Sequence, residues 1–182
     1  PTADSLTYLK NIIKKENAIA AGFDCDADRV EILAENGEMV SGQYVLALAV
    51  DEVLSSIKNP EKQIIVVNDV TSNLIRETAE KYNAKVKETE VGEINVVNGM
   101  LKNNSIIGGE GSNGGVIICP SKCRDGILTL IMILRMMAKR KSPLAEIISS
   151  YPEYYSARTK IQYDQKEHDK IRKFLKEHYS KE

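Results

Sequence analysis

The sequence has almost no net charge and no long apolar run, and each absence excludes a class of protein. Lysine and arginine (25) nearly balance aspartate and glutamate (26), so the formal net charge is −1. A general nucleic-acid binder needs many basic side chains to neutralise phosphates, so any phosphate site here must be local. No apolar run reaches the roughly 18 to 20 residues that a membrane span needs. The longest run, 127–138, is interrupted by Thr129 and Arg135.

Cysteine is also scarce, and the three cysteines form neither an even disulfide set nor a zinc site. Only Cys119 and Cys123 are close in sequence, and the two histidines, His168 and His178, lie far downstream. We therefore expect reduced thiols. No stretch has the form of a signal peptide, and we expect a cytoplasmic protein.

The middle of the chain alternates between strand and helix patterns. With 182 residues, of which 42% are hydrophobic, the chain can bury a sizeable core. The alternation predicts an α/β fold in three layers, α/β/α, with a mixed and mostly parallel sheet. We predict strands at 64–67, 84–87, 105–108 and 116–119, and helices at 43–57, 73–82, 94–101, 125–139 and 144–149. Asp125 falls in the first turn of its predicted helix.

Shorter units flank this region and do not complete a core of their own. Before it, we predict a helix at 6–15, a buried strand at 18–23 and a hairpin that turns at Asn36-Gly37. After it, a tyrosine-rich linker at 151–155 precedes the last two predicted elements. These are a strand at 159–163 and an amphipathic helix at 165–178.

These patterns predict three parts and partial neighbouring domains at both ends. Residues 1–40 would end one domain, 41–153 would form a complete α/β/α domain, and 154–182 would begin another. We therefore expect an internal fragment of a longer protein.

An acidic loop follows the first predicted strand. Asp24, Asp26 and Asp28 alternate within five residues and are followed by Arg29. Hard oxygen ligands at the end of a strand suit a small divalent cation such as Mg2+, which combines carboxylates with phosphate oxygens. Closely spaced aspartates also occur in solvated turns, so the spacing alone leaves both interpretations open.

A glycine-rich loop, 108–115, follows a later strand. It places Glu110, Ser112 and Asn113 among five glycines, so that backbone N–H groups can approach a ligand closely. The carboxylate can accept hydrogen bonds from sugar hydroxyls, and the hydroxyl and amide can donate or accept them. Such loops also simply connect hairpin strands. Ligands gather at the carboxyl ends of parallel strands, where this loop and the loops 68–72 and 89–93 are expected.

Taken in order, these segments resemble the α-D-phosphohexomutases, the family of phosphoglucomutase, phosphomannomutase and phosphoglucosamine mutase. Phe-Asp-Cys-Asp-Ala-Asp-Arg (23–29) is similar to the family's metal-binding loop, Asp-Gly-Asp-Ala-Asp-Arg. The segments 35–38, 42–44, 91–93, 108–115 and 123–127 also resemble family segments, in the same order. The resemblance spans nearly the whole chain, and the acidic loop is its most specific part.

The resemblance implies a function and a set of roles. Asp24, Asp26 and Asp28 would hold Mg2+, and Arg29 would lie beside the phosphoryl group being transferred. Gly92 and Glu93 match a substrate loop, and Glu110, Ser112 and Asn113 match the sugar-binding loop. The family interconverts hexose 1-phosphates and 6-phosphates through a phosphoserine and a bisphosphate intermediate. The implied partners are a hexose or hexosamine phosphate and the remaining domains of the same protein, without nucleic acid or membrane.

Two departures and two missing segments qualify the resemblance. Cys25 stands where the family has glycine, so a positive φ there would be strained. The glycine-rich loop lacks the histidine that many members carry. No segment resembles the loop with the nucleophilic serine or the phosphate clamp of the fourth domain, so the chain alone is expected to be inactive. Two alternatives stay open: a haloacid-dehalogenase-like phosphatase with Asp24 as nucleophile, and a non-catalytic α/β module that binds a cation or sugar phosphate.

Overall fold

The N-terminal unit is a helix packed on a small antiparallel sheet. The computed structural model describes residues 6–112, 114–155, 162 and 164–179. A 3-10 turn, Thr7–Leu9, leads into α1, Lys10–Glu16. Strands β1, Ala20–Phe23, and β2, Val30–Leu33, pair antiparallel, with Phe23 opposite Val30. The acidic loop, residues 24–29, is therefore the connection between two paired strands.

The predicted hairpin at Asn36-Gly37 is confirmed. It joins β2 to β3, Met39–Val40, and Gly37 has φ +80°, a backbone angle that glycine adopts without steric cost. The prediction that the first strand is buried was wrong for the part of the chain that the structure describes, where β1 is only half-buried and pairs with β2 alone. Phe23, at its end, is 38% exposed.

The central region is the predicted α/β/α fold. Its sheet has the strand order β5-β4-β6-β7, in which β4 pairs parallel with β5 and β6, and β7 pairs antiparallel with β6. The strands are β4, Ile64–Asn68; β5, Lys85–Thr89; β6, Ile107–Gly109; and β7, Val116–Ile118. The helices are α2, Gly42–Ser56; α3, Leu74–Glu80; α4, Glu93–Asn103; α5, Gly126–Arg140; and α6, Leu144–Ser149. A 3-10 turn, Pro60–Lys62, precedes β4.

One apolar core joins the two sheets through α2. Leu46 and Leu48 of this helix share a buried cluster with Ile32 of β2, Ile65 of β4 and Ile133 of α5. The acidic loop and the carboxyl edge of the parallel sheet are thus fixed to a common core.

Helix α5 begins one residue later than predicted. Asp125 is the residue before its first turn, and its carboxylate accepts a hydrogen bond from the N–H of Leu128 at 2.8 Å. This capping contact satisfies an N–H that has no partner within the helix.

The C-terminal segment contains a 3-10 turn, Gln165–Glu167, and α7, His168–Tyr179, which agrees with the predicted amphipathic helix. Of the predicted strand at 159–163, all residues except 162 lie outside the described residues. Within the described part of the chain, no helix combines the length and apolar character that crossing a bilayer requires.

Candidate metal and sugar-phosphate site

The acidic loop gathers its three carboxylates around one point. Asp24, Asp26 and Asp28 each offer an oxygen, and these oxygens all lie within 4.8 Å of one another. Asp26 is exposed, whereas Asp24 and Asp28 are half-buried. This donor set, all oxygen and partly exposed, fits a hard divalent cation that takes further ligands from water or phosphate.

Arg29 closes the loop on itself. Its backbone N–H donates to Asp24 Oδ1 at 3.2 Å, and its Nε donates to Asp24 Oδ2 at 2.5 Å. The same Nε lies 3.4 Å from Asp28 Oδ1. Burial alone would raise the pKa of Asp24, but these hydrogen bonds outweigh it and hold the pKa at about 2. Burial and the neighbouring Asp24 raise the pKa of Asp28, although the charge of Arg124 opposes this.

The backbone of the loop tolerates Cys25. The residue with a left-handed backbone is Ala27, at φ +57°, and Cys25 does not have a positive φ. Ala27 N–H donates to Asp24 O at 3.1 Å and so closes a tight turn. The strain that a positive φ would cause at position 25 is therefore absent, and the Cys25 side chain is exposed.

Three glycines let the acidic loop pack directly on the glycine-rich loop and on the start of α5. A Cβ at Gly114 would lie 1.9 Å from Val30 O, and one at Gly115 would lie 2.1 Å from Asp28 O. At Gly126, a Cβ would lie 2.7 Å from Arg29 O, and the Gly126 N–H donates to Ala27 O at 3.0 Å. A larger residue at any of these three positions would push away the acidic loop or the start of β2.

Glu110 lies at the carboxyl end of β6 and is held by two donors. Its Oε1 accepts from Asn68 Nδ2 at 2.7 Å and from the Gly92 N–H at 2.9 Å. Asn68 ends β4, and its own Oδ1 accepts from Thr71 Oγ1 at 2.7 Å. The carboxylate is buried, with 7% exposure for the residue. Its geometry is therefore fixed before any ligand binds.

Of the other residues predicted to bind the sugar, the structure describes Ser112 and Gly92 but not Asn113. Ser112 is half-buried in the turn that follows Glu110. Asn113 lies outside the described residues. Gly92 has φ +126° and directs its N–H to Glu110, so it supports the carboxylate from the start of α4.

Arg124 connects the two groups of carboxylates and was not among the site residues predicted from sequence. Its Nη2 lies 2.5 Å from Asp28 Oδ2, and its Nε lies 3.1 Å from Glu93 Oε2. Its backbone N–H donates to Glu93 Oε1 at 3.0 Å, and its Nη1 lies 4.0 Å from Glu110 Oε2. Both oxygens of Glu93 thus face Arg124, so Glu93 belongs to the support of this arginine.

Sequence signals for the missed residues were present but weak. Asn68 and Thr71 lie in a loop that was expected at the sheet edge, yet nothing in sequence distinguished them as supports of Glu110. Arg124 is 96 positions from Asp28, and only the packing of the loops brings the two together.

Comparison with known proteins identifies relatives of this chain. Residues 41–155 match the family model described as phosphoglucomutase/phosphomannomutase, alpha/beta/alpha domain III. The chain is 36% identical to a phosphoglucomutase/phosphomannomutase of Thermococcus kodakarensis over 165 residues, covering 88% of this chain and 35% of that protein. It is 35% identical to a phosphoglucosamine mutase of Desulfotalea psychrophila over 139 residues, covering 74% of this chain and 30% of the relative.

Comparison with solved structures identifies the same family. A phosphoglucomutase/phosphomannomutase family protein of Burkholderia thailandensis superposes with a TM-score of 0.73 at 25% identity, covering 86% of this chain and 34% of that one. The chain thus spans about a third of the length of the relatives it matches.

Proposed function

Because the chain belongs to the phosphoglucomutase/phosphomannomutase family, we propose that it supplies the metal-binding and sugar-binding parts of a Mg2+-dependent phosphohexomutase. The substrates are hexose or hexosamine 1-phosphates and 6-phosphates, which interconvert through a bisphosphate. The nucleophilic phosphoserine lies outside this chain, and the residues 1–40, 41–153 and 154–182 belong to three successive domains of a cytoplasmic enzyme.

The observation that carries this proposal is the convergence of two carboxylate groups at one site. The acidic loop and Glu110 come from different sheets, and Arg124 reaches both. A metal site beside a sugar-hydroxyl acceptor is what transfer of a phosphoryl group to and from a sugar requires.

We propose a role for each residue of the site. Asp24, Asp26 and Asp28 hold Mg2+, which neutralises charge on the phosphoryl group. Arg29 is next to them and presents its guanidinium to phosphate oxygens, for which its planar donors are suited. Glu110 accepts a hydrogen bond from a sugar hydroxyl through Oε2, since Oε1 is already used by Asn68 and Gly92. By the resemblance, Ser112 and Asn113 supply further donors and acceptors for the sugar hydroxyls.

The phosphatase and the non-catalytic module are not favoured, because the relatives that the chain matches are named as mutases.

A coupled assay of the full-length protein tests the proposal. Glucose, mannose and glucosamine 1-phosphates are supplied separately, with a catalytic amount of the matching bisphosphate, and formation of the 6-phosphate is followed. We expect isomerisation of at least one sugar phosphate, its loss on chelation with EDTA, and its return on addition of Mg2+. Release of inorganic phosphate without isomerisation would support the phosphatase instead, and activity unaffected by EDTA would refute the metal assignment.

A further inference from the structure

Arg124 has contacts that the proposed function does not explain. It lies between β7 and α5, outside both the acidic loop and the glycine-rich loop, and its side chain is only 14% exposed. Three carboxylates surround this one guanidinium, at 2.5 Å for Asp28, 3.1 Å for Glu93 and 4.0 Å for Glu110. Glu110 is also held by other donors, whereas Asp28 belongs to a loop between paired strands.

The carboxylate of Glu110 and the backbone of Glu93 do not depend on Arg124 for their positions. Glu110 Oε1 is fixed by Asn68 Nδ2 at 2.7 Å and by the Gly92 N–H at 2.9 Å. Glu93 is the first residue of α4, so its backbone is set by the helix. Arg124 is in turn held on this side, because its own backbone N–H donates to Glu93 at 3.0 Å.

The guanidinium of Arg124 also contacts the acidic loop. Its Nη2 contacts Asp28 Oδ2, while Asp28 Oδ1 lies near Arg29. Backbone contacts at Gly115 and Gly126 bring the loops together, but they do not fix the orientation of the Asp28 carboxylate. A planar guanidinium with several fixed donors can hold three carboxylates in one geometry, which a lysine ammonium at the same position cannot reproduce.

We propose that Arg124 is a positioning residue that sets the placement of the acidic loop relative to the sugar-binding loops. This inference rests on the proposed function, since it assigns to Arg124 the alignment of the metal ligands with the bound sugar phosphate. Arg124 acts through Asp28 and Glu93, and the chemistry is carried by the groups that it orients.

The inference predicts which kinetic constant changes. Because Glu110 keeps its own supports, Arg124→Lys should leave KM for the sugar phosphate within about threefold of wild type. Misplacement of the metal ligands by about 1 Å should lower kcat by roughly 100-fold. Arg124→Met, which also leaves three carboxylates without this cation, should lower kcat at least as far.

A second measurement does not depend on mutase activity. Hydrogen exchange of the 182-residue chain, followed by mass spectrometry, reports on peptides that cover residues 24–29. We expect faster exchange there in Arg124→Lys and Arg124→Met, with peptides from β4 and α2 unchanged. Arg76→Met is the matched control, because it removes an arginine–carboxylate pair with Glu88 that is outside the candidate site.

The outcomes separate this inference from the proposed function. Unchanged exchange at 24–29 in Arg124→Lys, or wild-type kcat in that variant, would overturn the positioning role. A rise in KM with kcat preserved would make Arg124 a sugar contact and would also overturn it. If Arg124→Met does not fold, kcat and hydrogen exchange of Arg124→Lys alone test the positioning role. Absence of mutase activity in the wild-type full-length protein would refute the proposed function, while the exchange result would still decide whether Arg124 holds the loop.

Discussion

At the scale of single residues, the candidate site depends on carboxylates whose geometry is fixed by neighbours on other elements. Glu110 shows this most clearly, since its buried carboxylate accepts hydrogen bonds from a side chain on β4 and from the backbone N–H of Gly92. Such preorganisation lets a ligand bind without paying to order the group that receives it.

Glu110→Gln tests the sugar-binding role at this scale. The amide keeps the size of the side chain but replaces one acceptor oxygen with an NH2 group that also faces Arg124. Since a hydrogen bond to a charged group contributes about 1.5–3 kcal/mol, we expect kcat/KM of the full-length enzyme to fall roughly 10- to 100-fold. Steady-state kinetics on the preferred sugar phosphate provide the measurement, and a change below twofold would contradict the role.

A second residue-scale feature lies away from the site. Tyr151 donates a hydrogen bond to buried Asp51, which Tyr82 and Arg140 also contact, and Lys81 lies 4.4 Å from the centre of the Tyr151 ring. Burial raises the pKa of Tyr151, and the charge and hydrogen bond of Asp51 raise it further, against the opposing effect of Arg140.

The sign of this shift predicts a pH dependence. A phenol whose pKa is raised by folding stabilises the protein fully below its unfolded pKa near 10, and this contribution is lost as the pH rises further. Tyr151→Phe should lose about 1–3 kcal/mol at pH 7. The difference from wild type should shrink above about pH 10.

Urea unfolding at a series of pH values measures this difference. Tyr8→Phe serves as control, because Tyr8 is 74% exposed, and its stability should match wild type within about 0.5 kcal/mol. A difference between wild type and Tyr151→Phe that is the same at every pH would contradict the explanation.

At the scale of elements, glycines let the backbone of the glycine-rich loop and of α5 pack directly on the backbone of the acidic loop and of β2. Gly114 has φ +69°, and a Cβ there would lie 1.9 Å from Val30 O, an atom that cannot move without moving β2. The glycines of this region therefore have a second role besides allowing a ligand to approach.

Gly114→Ala should therefore be costly. The backbone strain and the contact with β2 together should lower the free energy of unfolding by at least about 2 kcal/mol. Gly22→Ala is the matched control, because its new Cβ would meet only the end of the Leu6 side chain, at 2.9 Å, and the backbone there has no positive φ. Equal losses in the two variants, measured by urea unfolding, would show that backbone packing on β2 is unimportant.

Sequence patterns predicted the elements better than their contacts. The α/β alternation gave the mostly parallel sheet, and the Asn36-Gly37 turn gave the hairpin, because both depend on local residue preferences. The half-burial of β1 among the described residues was not predictable, since an apolar run does not show which elements cover a strand. Asp51 and Glu52 lie in an apolar helix, and the cations that neutralise them come from α5, far along the chain.

At the scale of the whole molecule, the chain corresponds to about a third of the length of its relatives. Sequence predicted the loops of the candidate site from their acidic, polar and glycine residues. The fold shows that the acidic loop, Glu93 and Glu110 lie around Arg124. Arg124 shows the limit of such prediction, because its partners Asp28, Glu93 and Glu110 are distant in sequence and meet only in three dimensions.

This coverage leads to a prediction about the isolated chain. The 182-residue chain should show no detectable isomerisation of hexose phosphates, because the proposed phosphoserine lies outside it. The full-length protein, assayed at the same concentration, should be active. Turnover by the isolated chain would contradict the division of roles that we propose.

The most direct test of the metal assignment is the turnover of Asp26→Asn in the full-length enzyme. Asp26 is exposed, so the substitution should leave thermal unfolding within a few degrees of wild type. Loss of a metal ligand should lower kcat at least roughly 100-fold. Asp169→Asn, on the exposed surface of α7, should retain wild-type kcat. Near-normal turnover by folded Asp26→Asn would contradict the assignment of the acidic loop as the site of Mg2+ and of phosphoryl transfer.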